Sequence, residues 1–139
     1  DSVSAIAPVA ATLMSDDCSP DSPVSGLHIH GLSDENVPIE GGRNQKGLQR
    51  QYRPPVRDGL EVFAEADGCD EEPATAQEGE IATETWTGCA DGSEVELLAI
   101  ESGGHSWPGG ARLARLLDPP STEIDATSEI WEFFASLNP

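Results

Sequence analysis

The chain has 139 residues, enough for one domain, and its 26 Asp and Glu against 7 Lys and Arg give a formal net charge of −19. A single lysine, Lys46, and six scattered arginines leave no basic face to neutralise phosphates, which excludes nucleic acid and disfavours an anionic membrane surface. Apolar residues make up 37% and fall in short blocks split by Gly and Pro, so no membrane-spanning run exists; the acidic excess favours solubility and suits an extracellular or salty setting.

In chain order, Val3 to Ala10 (VSAIAPVA) reads as a short buried strand checked by Pro8. The apolar stretch from Ala5 to Met14 has no basic residue ahead of it, the first being Arg43, so it does not read as a signal peptide. After the turn-rich SDDCSPDSP, Val24 to Ile29 reads as a second buried strand running into His30 and Gly31. Ser33 to Arg53 is polar and reads as a long excursion. Pro54 and Pro55 then open a helix in which Val56, Leu60 and Phe63 share a face, ending near Gly68. A polar, Glu-rich insert from Asp70 to Thr83 follows, overlapping the start of a strand at Ile81 to Trp86; Val95 to Ile100 reads as another strand, with ADGS as a hairpin-type turn between the two. A second long loop, Glu101 to Glu123, carries GGHSWPGG. The chain closes with a helix capped by Asp125, with Ile130, Phe133, Phe134 and Leu137 at helical spacing. Strands feeding loops, with helices between them, predict α/β architecture.

Three cysteines provide no C-x-x-C and no zinc-finger spacing to a histidine. A Cys69–Cys89 disulfide would tie down the acidic insert, with Cα atoms expected roughly 4.4 to 6.8 Å apart. The alternative is two reduced, buried thiols, and Cys18 is left over either way. Glu65, Asp67, Asp70, Glu71 and Glu72 lack the spacing of an EF-hand loop and read as a solvated charge run rather than a calcium site.

Chemistry concentrates in two loops. In HIHGLSDENVP a strand ends and Asp34 follows at once; in ESGGHSWPGG, glycines on both sides bring His105 into the open. In an open α/β sheet, ligands bind beyond the carboxyl ends of the strands, so both loops are expected at one edge with Asp34 in hydrogen-bond reach of His105. An acid that orients an imidazole, and an imidazole that takes a proton from a nucleophile, make half of a nucleophilic relay. GHSWP imitates a nucleophile elbow around Ser106. However, no histidine follows it in the chain, and a proline and two glycines stand where a helix is needed. His28 and His30 share one strand face and read as satisfied structural histidines, while Trp107 reads equally as cleft lining or core.

Five separated blocks, AIAPVA through LHIHGLSDENVPIEGG, PPVRDGLEVFAEADGC, the GC before a strand, IESGGHSWPGG and STEIDATSEIWEFF, resemble the esterase family of polyhydroxybutyrate depolymerases and feruloyl esterases. The resemblance implies residues 1–139 as the C-terminal part of one α/β-hydrolase domain, a mostly parallel sheet flanked by helices and incomplete at the N-terminal side. It implies a secreted serine ester hydrolase without a cofactor, acting on a polyester or an ester-decorated polysaccharide, with Asp34 as the triad acid and His105 as the triad base. The family's G-x-S-x-G elbow and most oxyanion-hole residues have no counterpart here, so the chain by itself is expected to be inactive. The competing reading is a noncatalytic remnant or binding module.

Overall fold

The computed structural model describes residues 3–15, 17–46 and 50–137. Its centre is a five-stranded sheet made of β1 (Ala5–Ile6), β2 (Ser25–Gly31), β5 (Ala74–Glu78), β6 (Ile81–Trp86) and β7 (Val95–Ile100), in the order β1-β2-β7-β6-β5. β1, β2 and β7 run parallel, whereas β6 is antiparallel to β7 and β5 antiparallel to β6. A separate two-stranded ribbon pairs β3 (Gly42–Arg43) with β4 (Tyr52–Arg53) inside the segment expected to be a plain excursion.

Two helices complete the chain, α1 (Val56–Ala66) and α2 (Ala126–Ser136), and they use opposite faces of the sheet. Successive strand residues point to opposite faces, so β7 is read twice. Val95, Leu97 and Ala99 pack with Val56, Leu60 and Ala64 of α1, while Leu98 and Ile100 pack with Leu27, Ile29, Ala126 and Phe133. β2 is buried along its whole length, with Leu27 and Ile29 toward α2 and His28 and His30 on the opposite face. α2 begins as its sequence requires: the Asp125 side chain accepts the Ser128 N–H at 2.8 Å.

The expected α/β class, with a mostly parallel helix-flanked sheet of the α/β-hydrolase kind, is corrected by this topology. The described residues are mostly β, the sheet is mixed, and only 19% of them are helical. The reason lies in segment 70–83. Gly79 and Glu80 make a two-residue turn, with Glu78 paired to Ile81, and the Thr- and Ala-rich flanks alternate as hairpin strands. What reads as an acidic insert is therefore a strand and a turn that extend the sheet in antiparallel sense. At the other end, the strand expected over Val3 to Ala10 pairs only at Ala5 and Ile6, plus an isolated bridge from Val9 to Ile29. The ADGS turn is a short 3-10 turn, Ala90–Gly92, in a longer β6–β7 connection.

Cys69 and Cys89 form a disulfide, and Cys18 is a free thiol. The cysteine Cα atoms are 3.8 Å apart, closer than expected. The two segments lie side by side, joined by the hydrogen bonds Asp70 N–H to Thr87 O and Ala90 N–H to Asp67 O, both 2.7 Å. No helix among the described residues is long and apolar enough to cross a membrane.

Candidate functional site: an Asp34–His105 pair beyond the β2 and β7 ends

β2 and β7 are parallel neighbours in which Gly31 pairs with Ile100, so the chain leaves both strands at the same edge. The two exits touch. A Cβ on Gly31 would sit 2.2 Å from Gly103 O and 2.9 Å from Gly104 N, which only a glycine avoids. Leu32 N–H donates to Ile100 O and Ser33 N–H to Gly103 O, both at 2.9 Å, which stitches the first loop to the second.

This stitching brings together residues 71 positions apart. His105 Nδ1 lies 2.8 Å from Asp34 Oδ2. Asp34 is buried, at 3% exposure, and its other oxygen, Oδ1, accepts the N–H groups of Asn36 and Val37, each at 2.8 Å. A carboxylate accepts hydrogen bonds, so Nδ1 of His105 carries the proton in this contact. The His105 side chain is 40% exposed, and Nε2 is the ring nitrogen not engaged with Asp34.

The His105 loop is also held from behind. His105 N–H donates to Asp118 Oδ2 at 2.9 Å, and Asp118 Oδ1 is 3.1 Å from Lys46 Nζ, which also pairs with Glu35. The His105 N–H, and after it Lys46, hold the Asp118 carboxyl below its ordinary range. The hydrogen bond that Lys46 donates to Glu35, and then the one it donates to Asp118, raise its ammonium above its own ordinary range. The only lysine of the chain thus clips the Asp34 loop to the segment supporting His105. Sequence reasoning passed over Asp118, whose one local signal is an acid set before two prolines.

The other singled-out residues have other positions. Ser106 Oγ donates to Pro119 O at 3.3 Å instead of to the imidazole beside it. Trp107 is about half exposed, and its indole N–H donates to Thr127 Oγ1 at 3.1 Å on α2. His28 and His30 are buried and hydrogen-bonded to each other at 3.0 Å, with His30 Nε2 3.7 Å from Asp34 Oδ2. Among the described residues no group of three or more His, Cys, Asp or Glu side chains is arranged to hold a metal ion.

No protein-family model matches the chain, and no curated protein matches it.

Proposed function

We propose that this chain supplies the acid and the base of a serine ester hydrolase of the polyhydroxybutyrate depolymerase or feruloyl esterase type. The observation that carries the reading is the 2.8 Å contact between the part-exposed His105, through Nδ1, and a buried Asp34 whose second oxygen is held by two backbone N–H groups. The resemblance of the five sequence blocks supplies the substrate class, an ester of a polyester or of a decorated polysaccharide. A disulfide and a net charge of −19 suit an extracellular setting.

In this reading His105 Nε2 takes the proton of a serine hydroxyl as its oxygen attacks the ester carbonyl. The resulting imidazolium returns that proton to the leaving alcohol as the tetrahedral intermediate collapses to an acyl-serine. Water then repeats the sequence, and the acid product leaves. Asp34 stays ionised throughout; it fixes the Nδ1–H tautomer and stabilises the imidazolium. The sequence carries no G-x-S-x-G elbow, and in this proposal the serine comes from polypeptide outside residues 1–139.

The test is hydrolysis of p-nitrophenyl butyrate by the full-length gene product and by this chain alone. Full-length protein is expected to turn over, Asp34→Asn to lower kcat by roughly 10⁴-fold through the wrong tautomer, and the chain alone to stay at the buffer blank. A full-length Asp34→Asn or His105→Ala variant at the wild-type rate overturns the assignment. So does turnover by the isolated chain that Ser106→Ala abolishes, because it would make Ser106 the nucleophile.

A further inference from the structure

The acid loop is held from beneath by a pair of imidazoles that the relay itself does not use. His30 is 1% exposed, its Nε2 lies 2.8 Å from Val37 O, and the same nitrogen is 3.7 Å from Asp34 Oδ2. A carbonyl oxygen only accepts, so Nε2 of His30 carries a proton. His30 Nδ1 then offers a lone pair, and His28 Nε2, 3.0 Å away, donates to it. The hydrogen bonds therefore run in one direction: His28 to His30, and His30 to the Val37 carbonyl. The N–H of that same Val37 residue donates to Asp34 Oδ1, and His105 donates to Asp34 Oδ2.

We propose that His30 is a positioning residue for Asp34: its Nε2–H grips the Val37 carbonyl, and so fixes the 34–37 turn at the setting that aims Oδ2 at His105. This inference rests on the acid–base reading given above. Val37 is held from both sides of its backbone, by Asp34 at its N–H and by His30 at its carbonyl, so the carboxylate cannot rotate without breaking the turn. Two imidazoles face one carboxylate, and only His105 is hydrogen-bonded to it. Burial, and then the neighbouring His30, lower His28 to about 3. Burial is also the leading cause that lowers His30, against the smaller opposing effects of the Val37 hydrogen bond and the Asp34 charge. A neutral His30 does not compete as a cation for Asp34.

Two substitutions separate this role from simple filling of space. Gln places its amide nitrogen near the position of imidazole Nε2, whereas Asn places it near Nδ1 and cannot reach the Val37 carbonyl. The readout is the tautomer of His105 in the 15N-labelled chain at alkaline pH, taken from its ring nitrogen shifts and its Nδ1–H signal. His30→Gln is expected to keep the Nδ1–H signal and His30→Asn to lose it. In the full-length enzyme His30→Asn is expected to lower kcat about 10²-fold at nearly constant KM, with the rate largely restored in His30→Gln. Retention of the Nδ1–H tautomer in a folded His30→Asn variant overturns the proposal. If neither variant folds, the wild-type chain decides, because a His30 proton found on Nδ1 breaks the grip on Val37 and overturns it equally. Asp34→Asn is the control for the underlying reading. If that variant leaves the His105 tautomer unmoved, the acid–base pair itself fails; if it moves the tautomer and His30→Asn does not, only the role of His30 fails.

Discussion

At Asp34 the two carboxylate oxygens are used differently, one by the backbone of its own turn and one by an imidazole 71 positions away. Such a division works only if the two loops approach closely, and Gly31 sets that approach. Gly31→Ala drives a methyl group into the Gly103 carbonyl, and backbone on both sides leaves little room to relax. We expect it to cost roughly 1 to 3 kcal/mol in urea unfolding and to weaken the His105 Nδ1–H signal in the folded fraction. A wild-type midpoint would show that the loops can part without loss. Asp34 and His105 were legible in the sequence because each follows an apolar strand within a few residues, in a segment where glycines give the backbone freedom. The support beneath them was less so. His28 and His30 alternate on a strand as structural residues do, and nothing local announces that His30 reaches Val37 or that Asp118 reaches back 13 positions to His105.

At the scale of elements, helices and strands with a strong apolar pattern were readable: α1 from its Val56, Leu60 and Phe63 stripe, α2 from its cap and spacing, β7 from an apolar run broken only by Glu96. The hairpin of β5 and β6 was not, because β5 is exposed along its whole length and carries no apolar signal. Its sense of pairing is what turns a parallel sheet into a mixed one. The disulfide ties the end of α1 to the connection that follows β6 and encloses this hairpin across a separation of 20 residues. Its reduction is expected to cost about 3 kcal/mol on the chain-entropy account. Urea titrations with and without dithiothreitol would measure this as a lower midpoint. An unchanged midpoint would mean that sheet pairing alone holds the hairpin.

For the whole molecule, stability is tied to pH through the buried imidazoles. His28 has an unfolded value of 6.5 and a folded value of about 3, and burial lowers His30 as well. The unfolded chain therefore binds protons below 6.5 that the folded chain refuses, so the stabilisation is fully present above that pH and declines as the pH falls. Between pH 6.5 and about 5 the loss should approach about 1.4 kcal/mol per pH unit for His28, with a further loss of the same sign from His30. Thermal melts across this range are expected to show Tm falling with acidification, and His28→Phe to flatten the slope; a Tm that rises from pH 6.5 to 5 would mean that relief of the −19 charge dominates instead.

The parallel pairing of β2 with β7 also governs when the site can exist during folding. Parallel neighbours cannot be joined by a tight turn, and here the crossover contains α1, the β5–β6 hairpin and the disulfide. Closing so long a loop is entropically unfavourable until the strands meet, which places this pairing among the slow, non-local steps of the folding reaction. Local pieces such as the hairpin and α2 form from neighbouring residues, but Asp34 and His105 share no local contact that precedes β2–β7 docking. The Asp34–His105 contact is thus a late product of folding, and a chain arrested before that step retains much of its secondary structure without it.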